Sequence, residues 1–157
     1  MSEIKIIEGK SKVRDTRVAI VAARFNNLIV DGLLRGALEA LRDAGLHNND
    51  IHQVHVPGAF EIPLTVKRLA ASGDYDAIIA LGAVIRGDTA HFKFVAGECA
   101  GGLMQAMLNT GVPVSFGVLT AETTEQALLR SADDGSNKGR EAALAAIEML
   151  TLLRELP

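Results

Sequence analysis

Residues Ala77 to Ile85 read AIIALGAVI, a run without a single charged side chain, bounded by Gly73-Asp74 on one side and Arg86-Gly87-Asp88-Thr89 on the other. A stretch this short, this apolar and this rich in branched side chains predicts a strand, and it is the most hydrophobic strand of the chain. Arg17 to Ala23 (RVAIVAA), ahead of it, has the same character and stops at Arg24-Phe25-Asn26-Asn27, as a strand buried on both faces does. Between the two, Leu28, Ile29, Leu33, Leu34, Ala37, Leu38 and Leu41 recur at helical spacing and Gly45 supplies the stop, so a helix fills that stretch. Ile51 to Val56 reads as a further strand ended by Pro57-Gly58, and Pro63 suits the first turn of a helix running to about Ser72. Beyond Ile85 a helix is expected from about Ala90 to Asn109, stopped by Gly111. A strand follows over Val112 to Leu119, then a short helix from Thr124 to about Ala132 and a long amphipathic one over Lys138 to Leu153.

Strands that alternate with helices imply right-handed crossovers and a parallel sheet covered on both faces. The fold class is therefore α/β, a three-layer α/β/α flavodoxin-like arrangement with a four-stranded parallel sheet, plus a short N-terminal strand at Ile4 to Ile7. No linker or repeat interrupts the order, so residues 1–157 are expected to form one domain. With 48% apolar residues, a domain of this length has the material to bury roughly 70% of its unfolded surface without disulfide or structural metal. Sixteen Lys and Arg against nineteen Asp and Glu leave a formal charge of −3, and no basic excess to neutralise a phosphate backbone, so nucleic acid is not an expected partner. The longest apolar run is less than half a membrane span and the N-terminus alternates apolar with charged residues; a cytoplasmic protein without membrane contact is expected. The single cysteine, Cys99, lies in a small apolar run and reads as core.

In open parallel sheets ligands bind beyond the carboxyl ends of the strands. Here that means four loops, Arg24 to Asn27, Val56 to Glu61, Ala83 to His91 and Phe116 to Thr120. His91 is the only histidine among them and falls just inside a predicted helix N-terminus, where the helix dipole disfavours the imidazolium. A neutral imidazole there suits proton transfer; a capping or surface histidine fits the same position. His47, His52 and His55 match no zinc spacing and no cysteine joins them, so no metal is expected. Gly87-Asp88-Thr89 precedes the same helix and presents either backbone N–H groups to a phosphate or an ordinary capped turn. Arg130 and Lys138 suit the cationic partner of such a phosphate or a solvated helix face. Phe25 follows the first strand among Arg and Asn residues, placed to stack on a planar ligand or to fold back on the core, and Phe60 and Phe116 share that ambiguity. Val56 to Glu61 offers backbone amides and one carboxylate suited to hydroxyl groups, although Glu61 also suits the first turn of a helix.

Taken together, ARFN (Ala23 to Asn26), VPGAFEIP (Val56 to Pro63), GAVIRGDTAHF (Gly82 to Phe92), FGVLT (Phe116 to Thr120) and SNKG (Ser136 to Gly139) strongly resemble the lumazine synthase family. The resemblance runs in order from about Ile6 to Leu153. It implies condensation of 5-amino-6-(D-ribitylamino)uracil with 3,4-dihydroxy-2-butanone 4-phosphate, the penultimate step of riboflavin synthesis, with release of phosphate and water and without metal or organic cofactor. By resemblance Phe25 stacks on the pyrimidine, Ala59, Phe60 and Glu61 hold the ribityl chain, and Ala83, Val84 and Ile85 line the ring pocket. Asp88 and Thr89 then bind the butanone phosphate with Arg130 as counter-charge, Lys138 remains beside it, and His91 shuttles protons. The family builds each site between adjacent members of a homopentamer, so Phe116 and Arg130 are expected from the neighbouring subunit.

The chain departs from the family pattern after Arg130, where Asp134 stands in place of a lysine that many members carry. No residue is inserted there, which leaves a sixty-subunit icosahedral shell open as well as a free pentamer. Two other readings use the same fold: a non-catalytic flavin- or lumazine-binding or shell protein, and a riboflavin synthase of archaeal type. His91 with Arg130 weighs against the first, and the GAVIRGDTAHF stretch against the second.

Overall fold

The computed structural model describes residues 1–157 and runs β1 (Val18–Ala23), α1 (Asn27–Asp43), β2 (Ile51–Val56), α2 (Ile62–Ala71), β3 (Ala77–Ile85), α3 (His91–Thr110), β4 (Val114–Ala121), α4 (Thr124–Arg130) and α5 (Lys138–Glu155). All strand pairs are parallel and the order across the sheet is β2-β1-β3-β4. The charge-free run is an inner strand: Ile79 faces Ile20 of β1 and Ser115 of β4. Because successive side chains point to opposite faces, Ile79 and Leu81 enter one core with Leu33, Leu41 and Ile147, whereas Ile78 and Ala80 enter the other with Ile62, Val66 and Cys99. Helices α1 and α5 thus cover one face, and α2 and α3 the other.

The α1–α5 face is packed to backbone contact. A Cβ at Gly139 would run into the carbonyl of Leu33, so only glycine lets α5 lie this close to α1. Gly111 stops α3 in the left-handed region, with φ 72° and its N–H on the carbonyl of Met107 at 2.9 Å. Cys99 is fully buried between α3 and the sheet, and burial pushes its thiol up to about 11. No helix is long and apolar enough to cross a membrane.

Two expectations need correction. Phe116 to Thr120 is not a loop: β4 continues to Ala121, which pairs with Ile85, so both residues lie within the edge strand. Thr120 reads as a loop residue because it and Phe116 are the two residues of β4 that stand exposed. The short N-terminal strand does not form within the chain either. Ile4 and Ile6 are 91% and 76% exposed and pair with nothing, since a lone strand has no ladder to complete without a second edge.

Candidate active site

An open cavity of about 640 Å³ lies at the carboxyl ends of β1, β2 and β3, on the side covered by α2 and α3. Phe25, Ala59, Phe60, Glu61, Ala83, Val84, Ile85, Thr89 and His91 all line it, so three of the four expected segments converge. Asp88 is exposed beside it, between the lining residues Gly87 and Thr89.

The Phe25 loop is tied down by its backbone. Arg24 donates to the carbonyl of Val56 at 2.8 Å and Phe25 to that of Pro57 at 3.0 Å, which binds the end of β1 to the end of β2. Asn26 takes the left-handed conformation, φ 60°, and its side chain donates to the carbonyl of Ala83 at 2.9 Å, locking the same loop to β3. The backbone of Phe25 is fixed while its ring stands free, 71% exposed. Phe60 and Phe94 are also exposed large apolar side chains on this cavity. Bare phenyl rings gathered around one hollow are an apolar surface ready for a flat ligand. Facing them, the Glu61 carboxylate lies against Gly58, where a Cβ would come within 3.3 Å of Oε2.

His91 is the first residue of the twenty-residue helix α3 and is exposed to the cavity. Its N–H donates to the Thr89 hydroxyl at 3.3 Å, so that hydroxyl caps the helix while its remaining valences stay open. The backbone N–H groups of Gly87, Asp88, Thr89 and Ala90 make no hydrogen bond within the chain. Four unpaired donors just ahead of the positive end of a long helix are a setting that suits an anion. Arg86 does not serve that setting from within: its guanidinium meets Glu122 at 2.6 Å and lies 4.7 Å from the centre of the Phe92 ring. No Lys or Arg lines the cavity at all.

The remaining expected residues lie elsewhere. Phe116, Arg130 and Lys138 line a second hollow of about 560 Å³ along the outer edge of β4, bounded by α5. It shares no residue with the first, and its α5 wall is on the opposite face of the sheet from α3. Arg130 is exposed and its side chain makes one hydrogen bond, to the carbonyl of Gln126 at 3.1 Å. Lys138 pairs with Glu141 at 2.8 Å. Asp134, the departure from the family pattern, is turned onto its own loop: its carboxylate accepts from the Ser136 hydroxyl at 2.6 Å and from the Ser136 N–H at 2.8 Å, which hold its carboxyl below the usual range. His47, His52 and His55 line neither hollow, and His52 shares a 2.7 Å hydrogen bond with the Tyr75 hydroxyl.

Sequence reading missed Phe94 and Val95 in the cavity and Glu141 in the groove. Their signal was helical spacing: three and four residues after His91, and three after Lys138.

Comparison with known proteins adds three findings. A family model described as 6,7-dimethyl-8-ribityllumazine synthase matches residues 15–154. The 6,7-dimethyl-8-ribityllumazine synthase of Edwardsiella ictaluri is 54% identical over 154 residues, covering 98% of this chain and 99% of the relative. That of Halorhodospira halophila is 53% identical over the same length and shares.

Proposed function

From the premise that the chain belongs to the 6,7-dimethyl-8-ribityllumazine synthase family, we propose that the phenyl-lined cavity of one copy and the β4 groove of a neighbouring copy together form each active site. The activity is lumazine synthase activity in riboflavin biosynthesis. The substrates are 5-amino-6-(D-ribitylamino)uracil and 3,4-dihydroxy-2-butanone 4-phosphate. One observation supports the divided site: the cavity is bordered by the unpaired N–H groups of Gly87 to Ala90 and lined by the candidate proton carrier but by no cation, while the candidate cations stand at the edge of β4, in a hollow walled by α5. A dianion seated at Gly87 to Ala90 therefore takes its counter-charge from another copy.

In this reading Phe25 stacks on the pyrimidine, Ala59, Phe60 and Glu61 hold the ribityl hydroxyls, and Ala83, Val84 and Ile85 line the ring through their backbone. Asp88 and Thr89 bind the phosphate through backbone N–H groups and the Thr89 hydroxyl. Arg130 and Lys138 of the neighbour approach it from outside, with the neighbour's Phe116 closing the apolar wall. The pyrimidine amine attacks the ketone and water leaves, phosphate is eliminated, and the ribityl-bearing nitrogen attacks the remaining carbonyl to close the ring with loss of a second water. Each step needs proton transfer at the carbons and oxygens of the bound substrates, and with Glu61 on the ribityl hydroxyls, His91, beside Thr89, is the group that carries it. Holding two substrates together supplies the larger share, up to about 7–11 kcal/mol of the barrier, whereas positioned acid–base catalysis typically contributes about 10²–10⁴-fold. Arg130 stabilises the departing phosphate.

The open edge of β4 supports assembly. Ile78 donates to the carbonyl of Pro113 and Arg86 to that of Ala121, which marks the odd-numbered residues of β4 as those turned to β3. Phe116, Val118 and Thr120 accordingly turn their backbone groups outward. An exposed N-terminal segment with Ile4 and Ile6 is the strand such an edge lacks, and its addition from a neighbour gives a homo-oligomer built on a pentamer, with a sixty-subunit shell as the larger form. Mixing the purified protein with both substrates and following the lumazine chromophore tests the activity. Formation of lumazine and release of one phosphate per turnover is expected; binding of lumazine without turnover identifies a non-catalytic binder instead.

A further inference from the structure

Arg130 and Lys138 bound a segment, residues 131–137, that joins α4 to α5, and one buried side chain holds this segment to the body of the protein. Asn137 is 2% exposed. Its Nδ2 donates to the carbonyls of Gly32 at 3.0 Å, Ser131 at 3.1 Å and Ala132 at 2.9 Å, and its Oδ1 accepts the Arg140 N–H at 3.0 Å. A single amide thus joins α1, the start of the segment and the first turn of α5. Ser131 is buried too, but its side chain bonds only locally, to the Leu128 carbonyl, and residues 133–136 are exposed and held chiefly by the turn closed by Asp134 on Ser136. The far wall is shaped for the amide: a Cβ at Gly36 would strike Asn137 Oδ1, and one at Gly32 would strike the Ser131 carbonyl.

We infer that Asn137 is a positioning residue for the phosphate-bearing substrate, setting where the backbones of Arg130 and Lys138 stand relative to each other. It touches no substrate. Both cations sit on long, flexible side chains, so the geometry they offer a phosphate is set by the backbone that carries them. Helix capping alone does not require this residue, since Ser or Asp caps α5 equally well. Only a side chain with two protons, an acceptor oxygen and this reach donates to carbonyls on α1 and at the start of the segment while accepting the Arg140 N–H of α5. The Ala132 carbonyl also accepts the Asp134 N–H at 2.9 Å, so removing the amide leaves the Ser131 carbonyl as the unpaired one and cuts the segment's side-chain tie to α1; the segment then moves, taking both cations with it.

The inference rests on reading Arg130 and Lys138 as the phosphate's cations, and the experiment separates the two. Asn137→Ser keeps an oxygen for the Arg140 N–H and leaves the charge unchanged, while Gly36→Ala displaces the same amide from the α1 side. Both are compared with Arg130→Ala on material whose assembly mass matches the parent, by the Michaelis constants of each substrate and the inhibition constant of inorganic phosphate. In both variants the butanone phosphate and inorganic phosphate constants should rise about tenfold, with the pyrimidine constant within about twofold. Phosphate constants that stay at the parental value while the melting temperature falls would make Asn137 a purely structural residue, and a parallel rise in the pyrimidine constant would overturn the inference too. If Arg130→Ala raises the phosphate constants and neither variant does, the positioning role fails and the phosphate reading stands. If Arg130→Ala itself leaves them unchanged, both fall.

Discussion

Replacing Phe25 with Ala should separate ligand binding from folding more cleanly than any other single change in the cavity. The ring is 71% exposed, so most of its area is still available to a ligand. An aromatic side chain presents on the order of 200 Å², which leaves about 140 Å² in water here, and a stacked pyrimidine covers about half of that. At ~25 cal/mol per Å² this is about 1.8 kcal/mol. Stacking adds ~0.5–1.5 kcal/mol beyond area, so Phe25→Ala should weaken the pyrimidine substrate by about 2–3 kcal/mol, or about 30- to 150-fold. The part already buried limits the folding loss to under about 1.5 kcal/mol, an upper bound and a few degrees in melting temperature. Calorimetric titration with an unreactive ribitylpyrimidine analogue reads the first quantity and thermal unfolding the second. Phe25→Leu should fall between parent and Ala, because it keeps apolar area and loses the ring face. An unchanged analogue affinity together with a fall of more than about 6 °C would refute the reasoning and make Phe25 a packing residue.

His91→Ala should slow turnover by roughly 10–10³-fold while the pyrimidine constant changes little, because substrate alignment survives; unchanged turnover across pH 6 to 8 in steady-state assays removes it as the proton carrier. Arg130→Ala should raise the Michaelis constant for the butanone phosphate about tenfold or more, and Asp134→Lys should lower it only slightly and only at low salt, since the Asp134 charge is tied to Ser136 and screened over about 8 Å. No effect of Asp134→Lys at low salt places that carboxylate outside the phosphate field. Burial holds the Cys99 thiol at about 11, so below about pH 9 folded and unfolded chains are both protonated and the thiol adds no pH dependence. Between about pH 9 and 11 the unfolded chain gives up its proton first, and stability should fall by about 1.4 kcal/mol per pH unit; denaturant titrations of the parent and Cys99→Ala should differ in slope only in that window.

Much of this fold is written in short-range signals. The bounds of β2 and β3 follow from what brackets them, Pro57-Gly58 after the one and the charged turn at Arg86 after the other. The end of β4 was less legible because its outward residues, Phe116 and Thr120, are the ones an open edge exposes, and exposure on a strand looks like the start of a loop. His91 could be placed at a helix start from the turn residues before it, but Phe94 could not be placed in the cavity without knowing which face of α3 looks there. Asn137 was visible as part of a motif, yet its burial was not. The carbonyl it meets at Gly32 lies 105 residues earlier, and an asparagine is ordinarily found at the surface. The N-terminal strand is the extreme case, since its proposed partner belongs to another copy.

The central claim, that each site joins the cavity of one copy to the β4 groove of another, is tested most directly by mixing two defective variants. His91→Ala spoils the cavity and leaves the groove intact, while Arg130→Ala does the reverse. After co-assembly from dissociated chains in equal amounts, about a quarter of the sites should receive an intact cavity and an intact groove from different copies. Assayed with butanone phosphate well below the parental Michaelis constant, the mixture should then recover about a quarter of the parental rate, more than twice the mean of the two variants assayed separately. A mixture no more active than that mean would show that both halves must come from the same chain, and the divided site would be wrong.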